Sequence, residues 1–258
     1  MRLPALLRAG HPGPALAVTL VGTGLAAASG RDAAQTVSVF VTVALGQLSV
    51  AWSNDAIDAR RDAETARTDK PVAAGELPRN LVLALACVAA AASAVTALFV
   101  GVQGICHIVA VGSAWLYNHP LKKTALSVLP YAVSFGLLVA YADAQPRPGL
   151  IAAGALLGAA AHFANVLPDL DDDAATGVRG LPHRLGARNA QFAAAGLLLA
   201  AGATVGLHIG GVPGGVIVGL SVASAVAVAA LQPGRPVFRV VMVSAVGFVV
   251  ALLAAVAW

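Results

Sequence analysis

The polar residues of this 258-residue chain gather in a few places, and long apolar runs fill the space between them. Read for length and continuity, the runs fall roughly at 14–30, 36–54, 80–100, 104–119, 125–142, 149–168, 189–210, 213–231 and 237–257. Each approaches the ~20 residues of helix that cross a hydrocarbon core. Most links between runs are short and nearly free of polar groups, as from Gly101 to Gly104 and from Gly210 to Pro213. Two are long and charged, from about Asn54 to Arg79 and from Asp169 to Arg188. The pattern predicts an all-α, polytopic membrane bundle of nine transmembrane helices around a central cavity, with residues 1–258 forming one domain.

Composition fixes the solvent. Hydrophobic residues make up 59% of the chain and charged residues 11%, with a mean hydropathy of +0.82. A soluble domain carries about 25% charged residues, so this chain could not cover a water-facing surface. Its wealth of Ala, Gly and Val suits helices that pack closely in lipid. Cys87 and Cys106 fall inside apolar runs and read as small apolar residues, with no disulfide or metal role.

Charge then sets orientation. The chain has 16 Lys and Arg against 12 acids, an excess that elsewhere would suggest nucleic acid. Here the placement follows topology. With the N-terminus inside, the cytoplasmic segments hold Arg2, Arg8, Arg60, Arg61, Arg67, Lys70, Arg79, Lys122, Lys123, Arg179, Arg184, Arg188, Arg235 and Arg239. The other face keeps Arg31 and Arg147, a strong positive-inside asymmetry. The reading is a multi-pass protein of the cell membrane, with no nucleic-acid partner, both charged links cytoplasmic and Trp258 outside. Arg2, Arg8 and Ala26-Ala27-Ala28 imitate a cleavable signal peptide, but losing that span would spoil the pairing of loops with positive charge.

The charged links carry matching motifs. The first reads Asn54-x3-Asp58-x3-Asp62 and the second Asn165-x3-Asp169-x3-Asp173, offset by 111 residues at all three positions. Basic, turn-like segments follow each: Thr68, Lys70, Pro71 and Gly75 in one, Arg179, Pro182, Arg184 and Gly186 in the other. A parallel internal repeat about an axis normal to the membrane would generate this.

Residues three or four apart share a helix face. Asp55, Asp58 and Asp62 therefore form one carboxylate face, and Asp169, Asp172 and Asp173 a second. Like charges this close repel, and a divalent cation relieves them. Hard oxygen ligands favour Mg²⁺, which uses one or two carboxylates and completes its shell with phosphates and waters. Asn54 and Asn165 add neutral oxygens. Arg67, Lys70, Lys122 and Arg179 are the candidate clamps for a diphosphate, whereas Lys123 and Arg235 read as positive-inside anchors. A metal-bound diphosphate beside an apolar cavity suits an isoprenyl diphosphate, whose ionisation leaves an allylic cation that must be kept from water. His162 and Asn118 are candidates to orient an acceptor, His162 being more simply a packed histidine. Tyr117, with Trp52 and Trp115, also fits an interfacial aromatic belt. His119 and His183 at the loop edges read as solvated.

These residues match a family pattern: the chain resembles the UbiA superfamily of intramembrane prenyltransferases. The signature NDxxDxxxD stands as Asn54-Asp55-Ala-Ile-Asp58-Ala-Arg-Arg-Asp62, and the second as Asp169-Leu-Asp171-Asp172-Asp173. Tyr117-Asn-His-Pro120-Leu-Lys122 resembles the family's Tyr/Pro/Lys segment. The resemblance implies Mg²⁺-dependent transfer of a prenyl group from its diphosphate to a lipophilic, aromatic acceptor. It assigns Asp55, Asp58, Asp62, Asp169 and Asp173 to diphosphate binding through Mg²⁺, and Lys122 to the family lysine. The chain departs from it at Lys70-Pro71, where many members have Arg-Pro, and at Gly180, where many have Thr. The Asp-rich core of the second motif is closer to members that prenylate naphthoquinone or chlorophyll-type precursors. Some members instead cyclise their own prenyl diphosphate. A cation or anion transporter is the reading from another class, but it would place its acids at the bilayer midplane rather than in basic loops.

Overall fold

The structure, a computed structural model, describes residues 3–65, 67 and 69–256. Arg2, Thr68 and Trp258, named above, lie outside the described residues. Every regular element among those described is helical: α1 (Leu3–Ala9), α2 (Pro12–Ala28), α3 (Ala33–Glu64), α4 (Arg79–Ala97), α5 (Gly104–Asn118), α6 (Leu129–Ala142), α7 (Pro148–Val166), α8 (Leu170–Ala175), α9 (Leu181–Leu185), α10 (Ala187–Ile209), α11 (Gly211–Ala230) and α12 (Arg235–Val256).

Among the described residues, six helices are long and apolar enough to cross a membrane. The expected stretches at 14–30 and 125–142 appear as shorter apolar helices, and the one at 104–119 as the 15-residue α5. α6 is confined to 14 residues between Pro130 in its first turn and Asp143 at its C-cap. Proline at a helix start and an extended residue at its end set those limits locally.

Two features position the site. First, α3 does not stop where its apolar run ends at 54. It continues for 32 residues in all, and Asp55, Asp58 and Asp62 are buried on it. Its start is capped by Asp32, whose side chain accepts a hydrogen bond from the Gln35 amide at 2.8 Å. Second, the other motif is not one continuous helix. Pro168 lacks an amide proton and crowds the preceding turn, so α7 gives way to a 3₁₀ turn at Leu167–Asp169 before α8 begins.

α7 is the central helix. The most apolar window of its span is 72% buried, against 28–33% for the other five long spans. Its Ala160 and Ala164 pack with Leu198 of α10, Ile217 of α11 and Val241 of α12. Val39 and Val43 of α3 meet Leu138 and Tyr141 of α6 in a second cluster. Small side chains let these backbones approach closely. At Gly158, an added Cβ would lie 2.4 Å from the Tyr131 carbonyl oxygen, so glycine is what seats α7 against α6. Outward-facing Phe99, Leu207 and Val226 leave the exterior apolar.

At the end remote from the acidic motifs, Arg31 is nearly enclosed. Its guanidinium donates to the carbonyl oxygens of Tyr141 at 2.8 Å, Ala142 at 2.7 Å and Asp143 at 3.2 Å. A cation at the C-terminus of α6 is favoured by the helix dipole. Burial lowers the Arg31 pKa, opposed by Tyr141 and Asp143.

Candidate active site

The ends of α3 and α7 open on one cavity of about 940 Å³. Apolar residues of α2, α6 and α12, among them Val18, Phe135 and Met242, wall its deeper part. Asp58, Asp62, Asp169 and Asp173 all line it, so carboxylates from both motifs share one mouth.

Arg61 joins them. Its guanidinium lies 3.2 Å from Asp58, 3.4 Å from Asp62 and 3.0 Å from Asp173. Arg67 makes the second crossing, 3.3 Å from Asp169 and 3.0 Å from Asp69. The hydrogen bond to Asp69 raises the pKa of Arg67, and the same bond lowers that of Asp69. Lys122, from the link between α5 and α6, is buried and paired directly with Asp58. Burial pulls the Lys122 ammonium below its usual range while Asp58 draws it back up. Asn54 donates to Asp58 at 3.0 Å. Asn118 donates to Ser53 at 2.8 Å and to the Val50 carbonyl at 2.9 Å, which fixes the end of α5 against α3.

Deeper in the same cavity an aromatic group forms. Tyr117 and Tyr131 meet edge-to-face with ring centroids 4.9 Å apart, and His162 lies 5.1 Å from Tyr131. His162 is buried and hydrogen-bonded to Ser127 at 3.0 Å. Ser127 also accepts the Leu181 amide at 2.9 Å, tying the α5–α6 link to the start of α9. Asn165 donates to the Tyr131 hydroxyl at 3.2 Å.

Three expected site residues are not brought to the cavity. Asp55 is buried beneath the α3–α4 link, where Oδ2 accepts the Val72 amide at 3.3 Å and Lys70 lies 3.8 Å away. Asp172 is exposed and outside the lining, because the 3₁₀ turn at Pro168 changes the register that a continuous helix would have kept. Arg179 is exposed as well, on the extended segment between α8 and α9. Lys70 does line the cavity, 3.0 Å from the His11 ring.

The cavity also collects residues that sequence reasoning passed over. Arg61 read as part of the positive-inside excess, not as a bridge between motifs. His183 read as solvated, yet its side chain is buried and lies 3.6 Å from Asp173. Tyr131 and Ser127 carried no spacing signal. Gly180 has a reason visible only in three dimensions: a Cβ there would lie 2.7 Å from the Lys122 carbonyl oxygen and 2.8 Å from Ser127 Oγ.

The donor set suits Mg²⁺ in a particular manner. Among the described residues no three acidic, His or Cys groups form a ready cage. Asp62 Oδ2 is buried with no hydrogen-bond partner. Two carboxylates on each side of one mouth, with cations between them, fit ions that each take one or two carboxylates and share their remaining positions with phosphate oxygens and water.

Fold and site together define a multi-pass helical membrane protein with a charged mouth over an apolar cavity. The chain belongs to the UbiA prenyltransferase family, whose model matches residues 15–237. Its fold is similar to that of a UbiA homologue from Archaeoglobus fulgidus bound to GPP and Mg²⁺, with a TM-score of 0.75 and 16% identity, over 98% of this chain and 100% of that one. An apo UbiA homologue from Aeropyrum pernix K1 aligns with a TM-score of 0.70 and 18% identity, over 100% of this chain and 98% of the other. A digeranylgeranylglyceryl phosphate synthase aligns with a TM-score of 0.64 and 14% identity, covering 98% and 96%. No curated protein matches the chain in sequence.

Proposed function

We propose that this protein is a Mg²⁺-dependent prenyltransferase of the cell membrane that moves the prenyl group of an isoprenyl diphosphate to a lipophilic, aromatic acceptor. The observation that carries the reading is the Arg61 bridge, which draws Asp58 and Asp62 to within a guanidinium's width of Asp173 at the mouth of an apolar cavity. That arrangement suits a ligand with a polyanionic head and a greasy tail. A fold neighbour that binds GPP with Mg²⁺ supports the same reading.

On this reading Asp58, Asp62, Asp169 and Asp173 would hold the metal. Bound Mg²⁺ would neutralise charge on the departing diphosphate. Arg67, Lys70 and Lys122 meet diphosphate oxygens, and Asn54 holds Asp58 in place. The allylic C–O bond breaks with its electron pair leaving on the diphosphate. Tyr117, Tyr131 and Phe135 face the resulting cation and exclude water. The acceptor supplies the electron pair of the new bond and releases a proton. Asn118, His162 and Asn165 belong to the wall that orients it. We assign no diphosphate contact to Asp172 or Arg179, and a structural anchoring role to Asp55.

The proposed topology is nine passes, made by α2 to α7 and α10 to α12, with the N-terminus and the acidic mouth cytoplasmic. The two motifs are then halves of one repeated device within a single domain. Membranes holding the protein, incubated with geranylgeranyl diphosphate and Mg²⁺, should release diphosphate when acceptor lipids are present. Asp58→Ala and Asp169→Ala should each abolish the release while the protein still inserts; full activity in either contradicts the shared site. Cyclic hydrocarbons formed with no acceptor would replace transfer by cyclisation.

A further inference from the structure

One basic pair on the cavity wall is not absorbed by the diphosphate site. Arg235 and Arg239 stand one turn apart at the start of α12, and both line the cavity. Every other Lys or Arg that lines it meets an acid: Arg8 with Glu76, Arg61 with Asp58, Arg67 with Asp169, Lys70 with Asp55 and Lys122 with Asp58. Arg235 and Arg239 have no acidic group within 4.0 Å among the described residues, and no hydrogen-bond partner there. Both are exposed to the cavity mouth. They belong to one helix face, which continues inward as Phe238 and Met242. That face therefore runs from cationic at the mouth to apolar within. α12 also packs against the 3₁₀ turn that carries Asp169, so the pair lies beside the proposed donor site and not in a separate pocket.

From this we infer that Arg235 and Arg239 form an oxyanion subsite for the second substrate: the acceptor is an amphiphile with a carboxylate or phosphate head, held at the mouth by the two guanidiniums, and an apolar body lying along Phe238 and Met242. Arginine suits this because its planar fork meets two oxygens of a carboxylate or phosphate at once. A merely topological anchor would snorkel to the outer rim and would have no reason to share a face with cavity-lining Phe238 and Met242. The inference rests on the prenyltransferase reading for the word acceptor, but the subsite itself stands on the cavity geometry.

The test uses purified protein in phosphatidylcholine nanodiscs. The donor site is first loaded with Mg²⁺ and unreactive geranyl S-thiolodiphosphate, whose binding is recorded separately. Dodecyl phosphate and dodecanol are then titrated as matched probes. Dodecyl phosphate should bind and dodecanol should bind far more weakly. In the double variant Arg235→Gln/Arg239→Gln, dodecyl phosphate should bind about tenfold or more weakly, the loss expected when charge-assisted hydrogen bonds are removed, with binding of the donor analogue unchanged. Equal binding of the two probes, or no loss in the double variant, overturns the subsite. If phosphatidylglycerol nanodiscs suppress dodecyl phosphate binding, the subsite holds a lipid headgroup, and the assignment to an acceptor is overturned. A protein that fails to bind the donor analogue contradicts the prenyltransferase reading, yet the dodecyl phosphate comparison still reports on the arginines.

Discussion

At Asp58 three groups converge: the Lys122 ammonium, the Arg61 guanidinium at 3.2 Å and the Asn54 amide at 3.0 Å. A carboxylate so fully engaged is held in one orientation before any ligand arrives, which is how a site stabilises developing charge without reorganising. Lys122 is itself buried, so the pair is a closed ionic contact rather than a surface one. Replacing Lys122 with Met should lower single-turnover diphosphate release about 10²-fold, the usual scale for one electrostatic donor. Wild-type rates in that variant would remove Lys122 from the clamp. His11 shows the opposite strategy. Burial, then the neighbouring Lys70 ammonium, holds its imidazole down to about 4. An unfolded histidine titrates near 6.5, so between those values the unfolded chain binds a proton that the folded one refuses. Stability should therefore fall as pH drops from about 6.5 towards 4. The decline should be shallower in His11→Gln; parallel thermal-melt curves for the two proteins would contradict it.

At the scale of elements, the two acidic motifs differ in build although their spacing matches. The first sits on an unbroken α3, so its four-residue repeat becomes a buried row. The second is interrupted at Pro168, and of its carboxylates only Asp169 and Asp173 reach the cavity. A proline within a helical pattern is a readable signal for that break. The link between α8 and α9 then docks on the α5–α6 link at a point where only glycine fits. Gly180→Ala would drive a Cβ to 2.7 Å from the Lys122 carbonyl oxygen. We expect a loss of about 1–3 kcal/mol from overpacking, read as a lowered melting temperature in detergent. Because Lys122 is displaced with it, affinity for a geranyl diphosphate analogue should fall too. An unchanged melting temperature and affinity would show that the links do not bear on one another there.

Across the whole molecule, what the sequence disclosed was local and what it concealed was tertiary. Hydropathy located the longer helices, α2 to α7 and α10 to α12, and the Asp spacing located both motifs, because both depend only on helical periodicity and solvent. The expected run at 125–142 overstates α6 only at its start, since apolar residues precede Leu129, where Pro130 in the first turn opens the helix; α5 ends within one residue of its apolar run. Arg61 and Asp173 meet across a separation of 112 residues, and no local pattern encodes that. The same holds for Ser127 between His162 and Leu181, and for the face of α12 that turns Arg235 into the cavity. Asp55 shows the converse: it obeys the motif spacing, yet the α3–α4 link covers it and takes its carboxylate for an amide hydrogen bond.

On the proposed function, carboxylates from two distant motifs form a single diphosphate site. Calorimetric titration of geranyl S-thiolodiphosphate with Mg²⁺ tests it most directly, on wild-type protein, Asp62→Ala, Asp173→Ala and the double variant, each first shown to be folded. Residues acting as one unit are strongly non-additive. Either single substitution should weaken binding almost as much as both together. Losses that simply add, or wild-type affinity in either single variant, would contradict it.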